Sequence, residues 1–233
     1  MKHILPALSL ALAAFTAQAQ IVVFDTMSVR SNEVAATQTQ NNWRYADDAT
    51  LINPAGETIG QIDIAIAGQY ETTANMFAFL LDATGPSGAP GNTLWSSSAI
   101  PLVFSPGDDF QDIVSFAVPN ISVPQTFFWA IEFRNIIKID DFGDPTTSGL
   151  FGTQYANNAV VQPVGASTST ATYYIDLDGG NGPGAFTSGF QSAGQDSTLA
   201  VKIYNAVPEP AAASLLALGG AGIALLLRRR RRA

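Results

Sequence analysis

The chain has 233 residues, a formal net charge of −8 and no cysteine. Without cysteine there are no disulfides, thiolate nucleophiles or zinc–sulfur centres, and an acidic surface repels nucleic acid and anionic lipid at long range. The basic residues gather at the ends: Lys2 and a run of five arginines leave the stretch 20–206 with five basic residues against eighteen acidic ones.

The first segment reads as a secretory signal peptide over residues 1–19. Lys2 and His3 make a short basic start, Ile4 to Phe15 is apolar apart from Pro6 and Ser9, and Ala17-Gln18-Ala19 supplies the small-x-small pattern that signal peptidase cuts. Cleavage is expected after Ala19, with Gln20 as the new N-terminus. His3 is the only histidine, so the processed chain is expected to lack any His-based triad, metal site or general base.

Residues 20–206 carry no long helical pattern. Short alternating or apolar runs recur between clusters of Gly, Pro, Asn and Asp. Ile21 to Phe24 is the first. Ile62, Ile64 and Ile66 alternate with Gln61, Asp63 and Ala65. Phe77, Phe79 and Leu81 follow, then Val114, Phe116 and Val118. Phe127, Trp129, Ile131 and Phe133 make the heaviest apolar face, with Trp129 in the core. Thr172 to Leu177 is a further candidate, and Leu199, Val201 and Ile203 close the domain. Turn chemistry separates these runs at Gly85–Asn92, Ser105–Asp109 and Asp178–Gly184. The pattern predicts one all-β domain, a jelly-roll-like β-sandwich of two sheets. Pro90 to Trp95, Pro-Gly-Asn-Thr-Leu-Trp, resembles a turn seen in jelly-roll domains of exported bacterial proteins.

The tail, 207–233, has three parts. Val207-Pro208-Glu209-Pro210 stops any strand before it. Ala211 to Leu227 has no charged residue in 17 positions, and as a helix it would run roughly 25 Å, enough for one short transmembrane helix over 211–227. Arg228, Arg229, Arg230, Arg231 and Arg232 follow, a cluster that the positive-inside rule keeps cytoplasmic. This ordered set resembles the PEP-CTERM sorting signal of Gram-negative bacteria that make extracellular polysaccharide. The resemblance covers about the last 27 residues. It implies recognition and cleavage by an exosortase, a precursor held in the inner membrane, and a mature protein at the cell surface or in the extracellular matrix. It says nothing about the domain in front of it.

For that domain the candidate chemistry is sparse. Two carboxylates suffice to hydrolyse a glycosidic bond, and Glu33, Glu57, Glu71 and Glu132 are the glutamates from which to choose. Glu132 alternates away from Trp129 and is expected on a solvated strand face. Asp176, Asp178 and Asn181 sit in or beside a glycine-rich loop with the oxygen ligands that a structural calcium takes, although the EF-hand spacing fails there. Asp108, Asp109 and Asp112, and Asp140, Asp141 and Asp144, form two more acidic groups, for which turn formation is the competing explanation. Trp43 and Tyr45, in the polar stretch Asn41 to Asp48, are the candidate sugar-stacking aromatics. The expectation is therefore an exported, non-enzymatic surface or matrix protein that binds extracellular polysaccharide. An extracellular glycosidase or lyase is the alternative. Signal peptidase, exosortase and the inner membrane are the expected partners, with no nucleic acid and no cofactor beyond that calcium.

Overall fold

Alternation with a period of two is the strongest signal between residues 20 and 206, and the structure builds from it. The computed structural model describes residues 20–29, 40–104, 110–140, 142–146, 151–157, 164–165, 174–176, 187–188 and 197–206. Among these the chain forms β1 (Val22–Asp25), β2 (Arg44–Thr50), β3 (Glu57–Gly68), β4 (Glu71–Leu81), β5 (Thr93–Ser96), β6 (Ile100–Phe104), β7 (Phe110–Val123) and β8 (Thr126–Ile139). Shorter strands follow: β9 (Pro145–Thr146), β10 (Phe151–Thr153), β11 (Tyr155–Asn157), β12 (Tyr174–Asp176), β13 (Thr187–Ser188), β14 (Ser197–Leu199) and β15 (Val201–Asn205). Only two single-turn 3-10 segments, Met27–Val29 and Pro86–Gly88, interrupt this all-β order among the described residues.

All the strand pairs are antiparallel. The smaller of the two main sheets runs β1-β15-β3-β10, with β7 on the other side of β3. The larger runs β13-β12-β2-β8-β4-β5, with β6 also on β4 and β9 on β8. A short β11–β14 pair stands beside them. The inner faces share one apolar core. Ile62, Ile64, Ile66, Val201 and Ile203 come from the smaller sheet, and Met76, Leu80, Phe127, Trp129, Ile131 and Phe133 from the larger. Burial alternates along β7 and the first part of β4, because neighbouring side chains on a strand point to opposite sides, whereas β2 and the first half of β8 are buried on both faces. The sandwich lies within a compact unit running from Ile21 to Asn205. The expected signal peptide, the sorting motif Val207 to Pro210, the 211–227 span and Arg228 to Arg232 lie outside the described residues. Among the described residues no helix is long and apolar enough to cross a membrane.

Several strands were not expected, β2, β10 and β11 among them. The sequence Arg-Tyr-Ala-Asp-Asp-Ala-Thr begins within the polar stretch Asn41 to Asp48, yet it forms β2 in the interior of the larger sheet, between β12 and β8. Arg44, Asp47 and Asp48 are all buried there. Asp47 faces the core, where its Oδ2 accepts a hydrogen bond from the Leu199 backbone N–H at 2.8 Å and its Oδ1 accepts from the Asp48 N–H at 2.9 Å. The first of these bonds ties the larger sheet to the Leu199 backbone. A strand this polar is stable inside a sheet only because each buried polar group finds a partner.

Candidate functional site

The larger sheet ends in a broken edge. β5 and β6 both pair with β4, β5 along its C-terminal half and β6 along its N-terminal half, and Ser97 to Ala99 bridges the break. The loop before β5 is held by one side chain. The Asp82 Oδ1 accepts hydrogen bonds from the Thr84 N–H at 3.1 Å, the Thr84 hydroxyl at 2.5 Å and the Asn92 N–H at 2.7 Å. Its Oδ2 accepts from Asn92 Nδ2 at 3.2 Å. Burial acts to raise the Asp82 pKa, but the hydrogen bonds from Thr84 and Asn92 outweigh it and hold the carboxyl below its ordinary value. Gly91 is required here, since a Cβ at that position would lie 2.3 Å from Asp82 Oδ1. The Gly-Pro-rich turn read from the sequence is thus a clasp that delivers Trp95 to its place beside Leu80.

Trp95 is half-buried against the core. Across from it runs β7, an edge of the smaller sheet that pairs, among the described residues, only with β3. Between the two edges lies a groove of about 460 Å³, lined on one side by Trp95 to Ile100 and on the other by Ser115 to Pro119. Ser96, Ser98 and Ser115 are exposed in it, while the Ser97 hydroxyl accepts a hydrogen bond from the Ala78 N–H at 2.9 Å and so caps the edge strand. An open groove with an aromatic residue and a serine-rich, uncharged lining has the chemistry to hold a sugar ring.

Beside the groove, on the outer face of the smaller sheet, stands a polar row. Asp63 is the register partner of both Ser115 and Lys202, and Gln61 that of Ala117 and Tyr204. The Gln61 amide donates to Asp63 Oδ1 at 2.7 Å, and Lys202 Nζ lies 3.2 Å from Asp25 Oδ2. The Tyr204 phenol is pushed up from 10.0 to about 12, first by burial, then by its hydrogen bond to Asp63 and by the negative charges of Asp63 and Asp25. The folded state therefore favours the neutral phenol. Its contribution to stability is complete below pH 10.0 and is lost as the pH rises through about 12. An absorbance titration is expected to show late-titrating phenol absorbance that Tyr204→Phe reduces by one tyrosine's worth. Titration of every phenol near its ordinary value would contradict this reading.

The residues selected from the sequence fare differently. Tyr45 is 1% exposed and pairs with Ile131 on the core face, so its ring is not an open platform; the period-two alternation of β2 turns it inward. Trp43 is half-buried against the same core, its ring centroid 6.4 Å from that of Tyr45. Glu132 is not solvated as expected but 1% exposed. Its Oε2 accepts from Arg44 Nη2 at 2.9 Å and Nε at 3.2 Å, and its Oε1 from Arg134 Nε. The two guanidinium groups stack on Phe79 and Phe77, 3.9 and 4.5 Å from the ring centroids. The outer face of the larger sheet is apolar around them, at Ala46, Phe79, Leu81, Phe128 and Ala130, which is why the charges are sequestered as a set. Glu57 accepts from Asn53 at 3.0 Å and Glu71 lies at the start of β4; Glu33 is outside the described residues.

Asp176 lies opposite Arg44 on β12 and is fully buried, while Asp178 and Asn181 fall outside the described residues. Asp140 makes a turn, its Oδ1 accepting from the Phe142 and Asp144 N–H groups at 3.0 Å each. Among the described residues no group of three or more His, Cys, Asp or Glu side chains is arranged to hold a metal. Sequence reasoning weighed Trp95 among the aromatics but preferred Trp43 and Tyr45, although the turn that positions Trp95 was visible. No protein-family model, curated protein or solved structure matches this chain.

Proposed function

We propose that this chain is an exported, non-catalytic surface or matrix protein whose jelly-roll-like sandwich binds extracellular polysaccharide. One observation carries the binding reading: an open groove, free of charged lining residues, with Trp95 and Ser96 to Ser98 on one wall and Ser115 on the other. Export rests on the signal-peptide pattern of residues 1–19, and sorting on the Pro208-Glu209-Pro210 motif, the apolar stretch 211–227 and the arginine cluster 228–232. On this reading a signal peptidase and an exosortase process the precursor, which an inner-membrane helix holds in the interval. A hydrolytic role would need Glu132 and a second carboxylate facing a cleft. The engagement of Glu132 by Arg44 and Arg134 favours binding over hydrolysis.

The full-length chain in mild detergent is expected to be retarded by polysaccharide in affinity electrophoresis. Trp95→Ala is expected to weaken that retention roughly thirtyfold, about 2 kcal/mol. Ser98→Gln adds bulk at an exposed groove position and is expected to weaken it too, with an unchanged melting curve. No retention by any polysaccharide would refute the binding reading. For the tail, expression beside a cognate exosortase is expected to yield a mature protein without Arg228 to Arg232 by mass spectrometry. An intact C-terminus there would refute the sorting reading.

A further inference from the structure

We infer that the Trp95 groove takes a neutral polysaccharide and discriminates against acidic ones. This rests on the polysaccharide-binding reading above and names the ligand class for the same site.

The groove lining holds no charged side chain. Asp63, the register partner of Ser115, stands on the strand next to the groove's β7 wall. Asp112, three residues before Ser115 on β7, is exposed, and the ionised Asp82 clasp lies at the start of the Trp95 loop. The Tyr204 phenol donates to that same Asp63, whose charge and that of Asp25 act with burial to keep it neutral.

Cations do not offset this. The described basic side chains are Arg44, Arg134, Lys138 and Lys202, and none lines the groove. Arg44 and Arg134 both serve Glu132, and Lys202 is paired with Asp25. Uronate, sulfate or pyruvate groups on a glycan are recognised by arginine forks and lysines that offset their desolvation. Here such a group would meet serine hydroxyls and a negative potential, within a stretch of chain carrying five basic against eighteen acidic residues. A glycan bearing only hydroxyl groups loses nothing to that field and keeps its stacking on Trp95.

The test compares full-length chain on laminarin and dextran, both neutral, with alginate, a polyuronate. The expected result is retention by a neutral polymer at least about tenfold stronger than by alginate, and insensitive to salt up to about 0.5 M. That retention is expected to fall in Trp95→Ala and in Ser98→Gln. Ala117→Lys, which sets a cation on the exposed rim, is expected to raise retention by alginate. Alginate bound as tightly as the neutral polymers would overturn the neutral-ligand inference while leaving polysaccharide binding standing. Neutral retention that neither Trp95→Ala nor Ser98→Gln weakens would move the site elsewhere and overturn it as well. Retention by no polymer would overturn the parent reading with it.

Discussion

Glu132→Gln is expected to destabilise the sandwich by about 3–5 kcal/mol, the cost of leaving buried charge without its counterion. Glu132 accepts from both Arg44 and Arg134, and the Arg44 and Glu132 side chains are 3% and 1% exposed. Glutamine keeps the shape of the side chain but removes its charge, so the Arg44 guanidinium stays buried with one carboxylate fewer. Asp176, its neighbour on β12, remains in the register and sets the effect toward the lower end of the range. Arg134 is 45% exposed and can turn to water, so it adds little. In a melting experiment the loss corresponds to a fall of roughly 10 °C. The double variant Arg44→Met/Glu132→Leu removes the pair together and is expected to recover most of the stability, since buried pairs often exchange for apolar residues at little net cost. Denaturant unfolding of the three proteins checks this. A Glu132→Gln midpoint equal to that of the parent would mean that the Arg44–Glu132 pair is solvated.

Trp129→Ala is expected to cost about 4 kcal/mol, from lost burial and the cavity left behind. Trp129 is fully buried and sits on β8 between Asp47 of β2 and Leu80 of β4. It is the largest of the fully buried side chains of the core. Its indole N–H has no hydrogen-bond partner among the described residues, which itself opposes burial. Trp129→Phe removes that donor along with part of the ring, so its cost is expected to be much smaller, about 1–2 kcal/mol. Equilibrium unfolding followed by far-ultraviolet circular dichroism gives both values. A loss below about 1 kcal/mol for Trp129→Ala would show that the two sheets do not share this core.

Both residues lie on β8, and the sequence speaks for them unequally. Phe127, Trp129, Ile131 and Phe133 announce a buried face by alternation alone, and they are buried. The other face of the same strand reads Phe128, Ala130, Glu132, Arg134, which looks half solvated. Up to Glu132 it is buried in a second apolar cluster, and the Arg44 that pairs with Glu132 stands 88 residues away, outside any local window. β2 was illegible for the same reason. Alternation marks a strand when polar side chains face water. In β2 the polar side chains are buried and satisfied by distant partners, so the pattern resembles a loop. Tyr45 was misjudged with it. Its polar neighbours suggested exposure, whereas its position in the register turned it toward the core.

The groove follows the same logic. The turn at Gly85 to Asn92 was readable, because Gly, Pro and Asn are the residues that tight turns demand. The consequence of that turn for Trp95 was not, since it depends on the Asp82 carboxylate gathering four hydrogen bonds and on β7 passing opposite.

Local chemistry thus specifies the all-β class, most of the longer strands, the turns and the acidic character of residues 20–206, because side-chain alternation, turn preference and charge are properties of neighbouring residues. The pairing of Arg44 with Glu132, the inward turn of Tyr45 and the placing of Trp95 and β7 on opposite walls of one groove depend on strand register and sheet order. Those are long-range quantities, set by which faces bury together, and no window of neighbouring residues contains them.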